Sequence, residues 1–106
     1  MRVSEAITAF EIFLLSERRL ARNTVASYLS DLNQLQNYLI KKKITLMNEL
    51  DTQSLREYLK FLRHKLQAGP NSMSRKVSTL KNWFKFLNQR YNLTNIAAIL
   101  AFPKLQ

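Results

Sequence analysis

The stretch Ser72-Met73-Ser74-Arg75-Lys76-Val77-Ser78-Thr79-Leu80-Lys81-Asn82-Trp83-Phe84-Lys85-Phe86-Leu87 decides how this chain is read. Each residue of an α-helix advances about 100° around the axis. Measured from Arg75 on that wheel, Val77, Leu80, Trp83, Phe84 and Leu87 fall between about 80° and 200°. Arg75, Ser78, Lys81, Asn82, Lys85 and, just beyond the stretch, Gln89 occupy a separate arc of about 120°. One face is therefore core. The other holds Arg, Lys, Ser, Asn and Gln with no carboxylate. Solvated helix faces ordinarily mix signs, because a Glu four residues before a Lys supports the helix. An acid-free face fits the major groove of duplex DNA, which admits a helix and rewards Lys and Arg on phosphates. Trp83 lies inside the apolar arc, so it reads as core before it reads as a stacking platform.

The same period continues outward in both directions. Gly69-Pro70 is the clearest stop signal, and the helix is expected from Asn71 or Ser72 to about Arg90. Before the break, a helix opening on Asp51 or Thr52, both good N-caps, carries Leu55, Tyr58, Leu59, Leu62 and Leu66. Further back, about Arg22 to Lys41 forms a helix with the stripe Val25, Tyr28, Leu29, Leu32, Leu35 and Leu39. The first helix covers roughly Val3 to Arg18, with Val3, Ile7, Phe10, Phe13 and Leu14 on one face. A short final helix is expected at about Asn95 to Ala101, closed by Pro103. Connections are short except for residues 42–50, and no internal repeat is evident. The fold class expected is all-α, a compact bundle of four to five helices around one small core.

Composition agrees and narrows the function classes. With one Gly and two Pro in 106 residues, the many tight turns of a β-sandwich or barrel are not supplied. There is no Cys and a single His, so disulfides, thiolate sites and histidine-rich metal clusters are excluded. No signal peptide is visible and no apolar run reaches transmembrane length, so the chain reads as soluble and intracellular, with no membrane partner expected. The net charge is +10, and it is lopsided. Residues 1–57 hold 8 basic and 7 acidic side chains, whereas residues 58–106 hold 9 basic and none acidic, Glu57 being the last acid. Charge of one sign on that scale points to a polyanionic partner.

Other polar features carry less. The second helix offers Ser27, Ser30, Asn33, Gln34 and Asn37 on its polar face, with Asp31 the only charge there; such groups can bond phosphate oxygens or base edges. Lys41-Lys42-Lys43 follows it, and complements a helix C-terminus as readily as it touches phosphate. No catalytic constellation is found. His64 lies opposite the apolar stripe of its helix with no nucleophile beside it, the carboxylates show no paired spacing, and there is no glycine-rich phosphate loop. Tyr28, Tyr38, Tyr58 and Tyr91 lack the cluster of cations a phosphotyrosyl intermediate needs. No cofactor or metal is called for.

The order of these residues is familiar. Glu17-Arg18-Arg19-Leu20-Ala21-Arg22-Asn23-Thr24, then Tyr28, Asp31-Leu32 and Leu35, resembles E-R-G-L-S-x-N-T-x-x-x-Y-x-x-D-L-x-x-F, the opening of the N-terminal core-binding domain of tyrosine recombinases, or phage integrases, of the Xer type. Ser72 to Leu87 is similar to S-x-x-R-x-L-S-A-L-R-x-F-x-x-F-L, and Asn95 with Pro103-Lys104-Leu105 to the N-P…P-K-L that closes the domain. The resemblance spans essentially the whole chain. It implies a SAM-like helical bundle over residues 1–102, residues 103–106 opening a linker toward a catalytic domain, and one half of a clamp around duplex DNA. It also implies that the second and fourth helices face the major groove. The DNA-contact candidates are Asn23, Thr24, Ser27 and Lys43 around the second helix, and Arg75, Ser78, Lys81, Asn82 and Lys85 on the fourth. The family's catalytic Tyr and its activators lie beyond the linker, so no catalysis is expected in this chain. The expected partners are double-stranded DNA and copies of the full-length recombinase in a synaptic tetramer, the isolated domain being monomeric.

The chain departs from the pattern in places. Arg19 replaces its Gly, Ala21 replaces its Ser and removes an N-cap, Leu29 and Ser30 stand where basic residues commonly follow the Tyr, so the second helix offers fewer phosphate contacts, and Ile96 replaces the Pro of N-P. A stand-alone helix-turn-helix regulator that dimerises on a palindrome is the alternative reading. A protein- or membrane-surface bundle is a third.

Overall fold

The computed structural model describes residues 1–103. Lys104 and Leu105, read above as the start of a linker, lie outside the described residues. Four α-helices carry the chain: α1 (Val3–Ser16), α2 (Arg22–Lys41), α3 (Thr52–His64) and α4 (Pro70–Tyr91), with a single 3-10 turn at Met47–Glu49. They fall into two units, Met1–Glu49 with α1 and α2, and a second that begins at Leu50 with α3 and α4.

In the first unit, α1 starts where the Arg2 amide donates to Glu5 Oε1 at 2.8 Å, satisfying one of the amides a helix start leaves over. It buries Val3, Ala6, Ile7, Phe10 and Leu14. Phe13, expected on that face, is only half-buried, its ring centroid 6.3 Å from that of Phe10. The helix ends when the Phe13 carbonyl accepts both the Glu17 and Arg18 amides and the chain turns through Arg19 at φ 50°. α2 buries Val25, Leu32, Leu35 and Leu39, and Tyr28 meets the Phe10 ring edge-on at 5.7 Å. Residues 42–50, read as the one long connection, are ordered by several bonds. The Val3 amide donates to Thr45 O at 2.9 Å, the Met47 amide to Met1 O at 2.8 Å, and Glu49 Oε1 accepts the Leu46 amide at 3.0 Å.

In the second unit, Asp51 caps α3, accepting the Ser54 amide at 2.7 Å and the Ser54 hydroxyl at 2.9 Å. Leu55, Tyr58 and Leu62 are buried. Leu66, expected on the stripe, lies past the helix end and is exposed. Gly69 does not terminate α3 in a left-handed conformation; Gln67 does, at φ 53°. Gly69 is instead the N-cap of α4 at φ −76°, with Pro70 opening the helix, where its missing amide costs nothing. α4 buries Met73, Val77, Leu80, Trp83, Phe84 and Leu87, with Lys76 inside the same arc, and beyond the expected arc also Thr79 and Phe86. Trp83 is fully buried, its ring 5.0 Å from that of Phe84.

The short fifth helix does not form; residues 96–99 make a turn. The carbonyls a helix would use are taken by side chains, Ile96 O accepting the Thr52 hydroxyl at 2.8 Å and Ala98 O the Lys81 ammonium at 2.9 Å. Asn95 Oδ1 accepts the Ala97 amide at 3.2 Å as an N-cap would, yet only this one turn forms. Ala97 and Leu100 are buried against this unit.

The structure also reveals a repeat the sequence hides. At one constant spacing, Ser16 and His64 end a helix, Arg19 and Gln67 turn left-handed, and Arg22 and Pro70 begin the next helix. The Phe61 carbonyl accepts two amides as Phe13 does, and Ala68 bonds back to Leu62 as Leu20 does to Leu14. Val25, Asp31, Leu32, Leu35 and Leu39 of α2 correspond to buried Met73, Thr79, Leu80, Trp83 and Leu87 of α4.

Candidate nucleic-acid interface

The wide buried arc of α4 leaves one strip for solvent. Arg75, Lys85 and Gln89 are exposed along it, and Ser78 and Asn82 are half-buried at its edge. No acid lies on the strip, or anywhere in α4. Arg and Lys carry their charge at the end of long stems, so from an exposed helix face they reach well beyond the backbone. This geometry suits phosphate oxygens spaced along a backbone, with the serine and asparagine within reach of the same groove.

Lys81 differs from its neighbours. It is half-buried, its ammonium donates to Ala98 O, and it stands 5.4 Å from the centre of the Phe102 ring. Lys81 therefore fastens the C-terminal segment to α4. An ammonium has three donors, so this bond leaves others for an anion.

On α2, Asn23 and Thr24 are exposed in the first helical turn, and Ser27 sits one turn on, its hydroxyl donating to Asn23 O at 3.2 Å. These three form one cluster at the amide-rich end of the helix, where no side chain caps the N-terminus: the N-cap is Ala21. Lys43 is exposed but belongs elsewhere. It lies at the far end of a helix about 30 Å long, as the left-handed residue at φ 62° that closes it. Asp31 corrects the reading of the α2 polar face. It is buried at 4% exposure, so the exposed face carries no acid there. The spacing contained that signal: Asp31 lies three residues after Tyr28 and four before Leu35, at the border of the apolar stripe.

A further group was not singled out from the sequence. Arg56, Lys60 and Arg63 are all exposed on α3 at successive helical turns. The count of nine cations after Glu57 included two of them, but their spacing was the signal that united them. His64 is exposed as expected. Among the described residues no group of His, Cys, Asp and Glu could hold a metal ion, and no helix is long and apolar enough to cross a membrane.

The family model for the phage integrase N-terminal SAM-like domain matches residues 7–91, and the chain belongs to that family. It is similar to the tyrosine recombinase XerD of Rickettsia bellii, 38% identical over 105 residues covering 96% of this chain and 33% of that protein. It is similar also to XerD of Rickettsia conorii, 36% identical over 102 residues covering 94% of this chain and 32% of that protein. XerD of Pasteurella multocida is 34% identical over 108 residues, covering 99% of this chain and 35% of that protein. The chain thus spans about a third of the length of these curated relatives, and corresponds to the non-catalytic N-terminal domain of the family. No solved structure gives a significant match.

Proposed function

We propose that this chain is the DNA-gripping domain of a site-specific tyrosine recombinase, holding the core recombination site through phosphate and major-groove contacts. The observation that carries the reading is the acid-free exposed strip of α4, with Arg75 and Lys85 at its two ends and Ser78 and Asn82 between them. Asn23, Thr24 and Ser27 extend the contact from the first turn of α2, where unsatisfied backbone amides favour an anion. Lys81 contributes charge while it holds the C-terminal segment, and Lys43 offers a single peripheral phosphate contact. In the full-length protein, residues 103–106 lead into a catalytic domain that breaks and rejoins DNA through a phosphotyrosine. Copies of that protein assemble on two sites as a tetramer, in the cytoplasm on the nucleoid. Membership of the integrase N-terminal family supports this over a palindrome-binding regulator.

The test is reversal of charge on the strip, since both cations are exposed and outside the core. Lys85→Glu, alone and with Arg75→Ala, keeps the helical circular dichroism and weakens retention on duplex DNA. Unchanged retention by the double variant assigns the DNA face elsewhere.

A further inference from the structure

The unit beginning at Leu50 carries a groove of about 770 Å³ that the DNA reading does not use. None of Arg75, Ser78, Asn82 or Lys85 lines it. Over a floor of buried Met73 and Val77, its accessible apolar lining is half-buried Leu59 of α3, exposed Ala101 and the ring of Phe102, which is 51% exposed. Its charged lining is Arg56, Lys60 and Arg63 of α3, with no carboxylate; Glu57, on the same helix, does not reach it.

We propose that this groove docks an acidic amphipathic segment of a partner protein. Such a segment places a large apolar side chain against Leu59, Ala101 and Phe102 and sets carboxylates opposite Arg56, Lys60 and Arg63. Two features select this occupant. A one-signed cationic rim steers and orients a segment of opposite charge. An apolar lining left open beside a half-exposed aromatic ring is the form of a pocket for an anchor residue, the part of an interface that supplies most of the hold. A DNA backbone meets the first condition and fails the second, because phosphates bring no apolar group to cover Phe102. The proposal stands apart from the α4 strip, and either can fail without the other.

The experiment is an amide-resolved NMR titration of the 106-residue chain. The probe is a synthetic helical peptide with Leu and Phe one turn apart between glutamates. Controls are the same peptide with lysines for glutamates, one with serines for the two anchors, and a short DNA duplex. The expected result is a set of shifts confined to α3 and residues 100–103, absent with either control peptide. Phe102→Ala, and separately Arg56→Glu with Arg63→Glu, each weaken binding about tenfold or more. All three positions are exposed, and a thermal melt verifies the fold of each variant. The proposal is overturned if the lysine peptide binds equally or if Phe102→Ala leaves affinity unchanged. It is overturned too if the duplex moves the α3 amides and the peptide does not, which gives the stripe to DNA. Self-association of the chain abolished by Phe102→Ala also overturns it, giving the groove to a second copy.

Discussion

Arg19, Lys43, Gln67 and Asn92 each turn the chain through the left-handed region just after a helix, and none of them is glycine. A side chain there costs about 1–2 kcal/mol. The turns persist because each lets a carbonyl in the last helical turn accept an amide from beyond the helix, as Leu14 O accepts Leu20 N at 3.0 Å and Leu39 O accepts Ile44 N at 2.9 Å. At Arg19 the family pattern carries Gly, and the backbone explains that preference. Two positions later Ala21 sits at the N-cap of α2 with no oxygen to offer. Ala21→Ser supplies one, and thermal melting should show a gain of about 1 kcal/mol. Asp51 acts in the opposite sense. The Ser54 amide, then the Ser54 hydroxyl, hold its carboxyl below its ordinary value of 3.8. The folded state therefore binds this proton less readily than the unfolded chain. The contribution of Asp51 is complete above the unfolded-state value and fades as pH falls through the lower folded value. Denaturant melts across the acid limb should lose that pH dependence in Asp51→Asn, while retaining it in variants of other carboxylates.

At the scale of elements, the helices were legible because their apolar spacing is strong. Arg22–Lys41 is where the stripe placed it, and Thr52 and Pro70 begin within two residues of their caps and stop signals. What spacing hid was polar burial. Asp31 borders the apolar stripe of α2, Lys76 lies inside that of α4 and Thr79 beside it, and all three are buried although residue type argued for solvent in each case. The fifth helix failed for a different reason. Asn95 bonds the Ala97 amide as an N-cap would, but Thr52 and Lys81, distant in sequence, take the carbonyls of Ile96 and Ala98. No local propensity reports such long-range partners. Of the candidate site, the α4 strip was legible almost whole. Lys81 was not, since its polar reading was right and its fastening role depends on a segment far along the chain. Lys81→Ala should keep the four helices and speed hydrogen exchange at Ala98 to Phe102. Unchanged exchange there would remove the fastening role.

At the scale of the molecule, two helical pairs share one plan of turns and buried positions, yet their surfaces have diverged. The first unit carries both signs of charge, and the second holds two acids, Asp51 and Glu57, both near its start, against a run of cations. One plan thus supports two surface chemistries, since the buried positions set the fold and the exposed ones remain open to function. The size of the chain takes its meaning from the family: it corresponds to the N-terminal SAM-like domain. The central claim is that the exposed cations of the α4 strip engage phosphates. The affinity of the chain for a short duplex, measured across a range of salt concentrations, tests it most directly. Contact with about four to six phosphates predicts that log K falls against log salt with a slope of about −4 to −5, shallower by about one in Lys85→Glu. An affinity that does not change with salt, or a slope the substitution leaves untouched, contradicts the account.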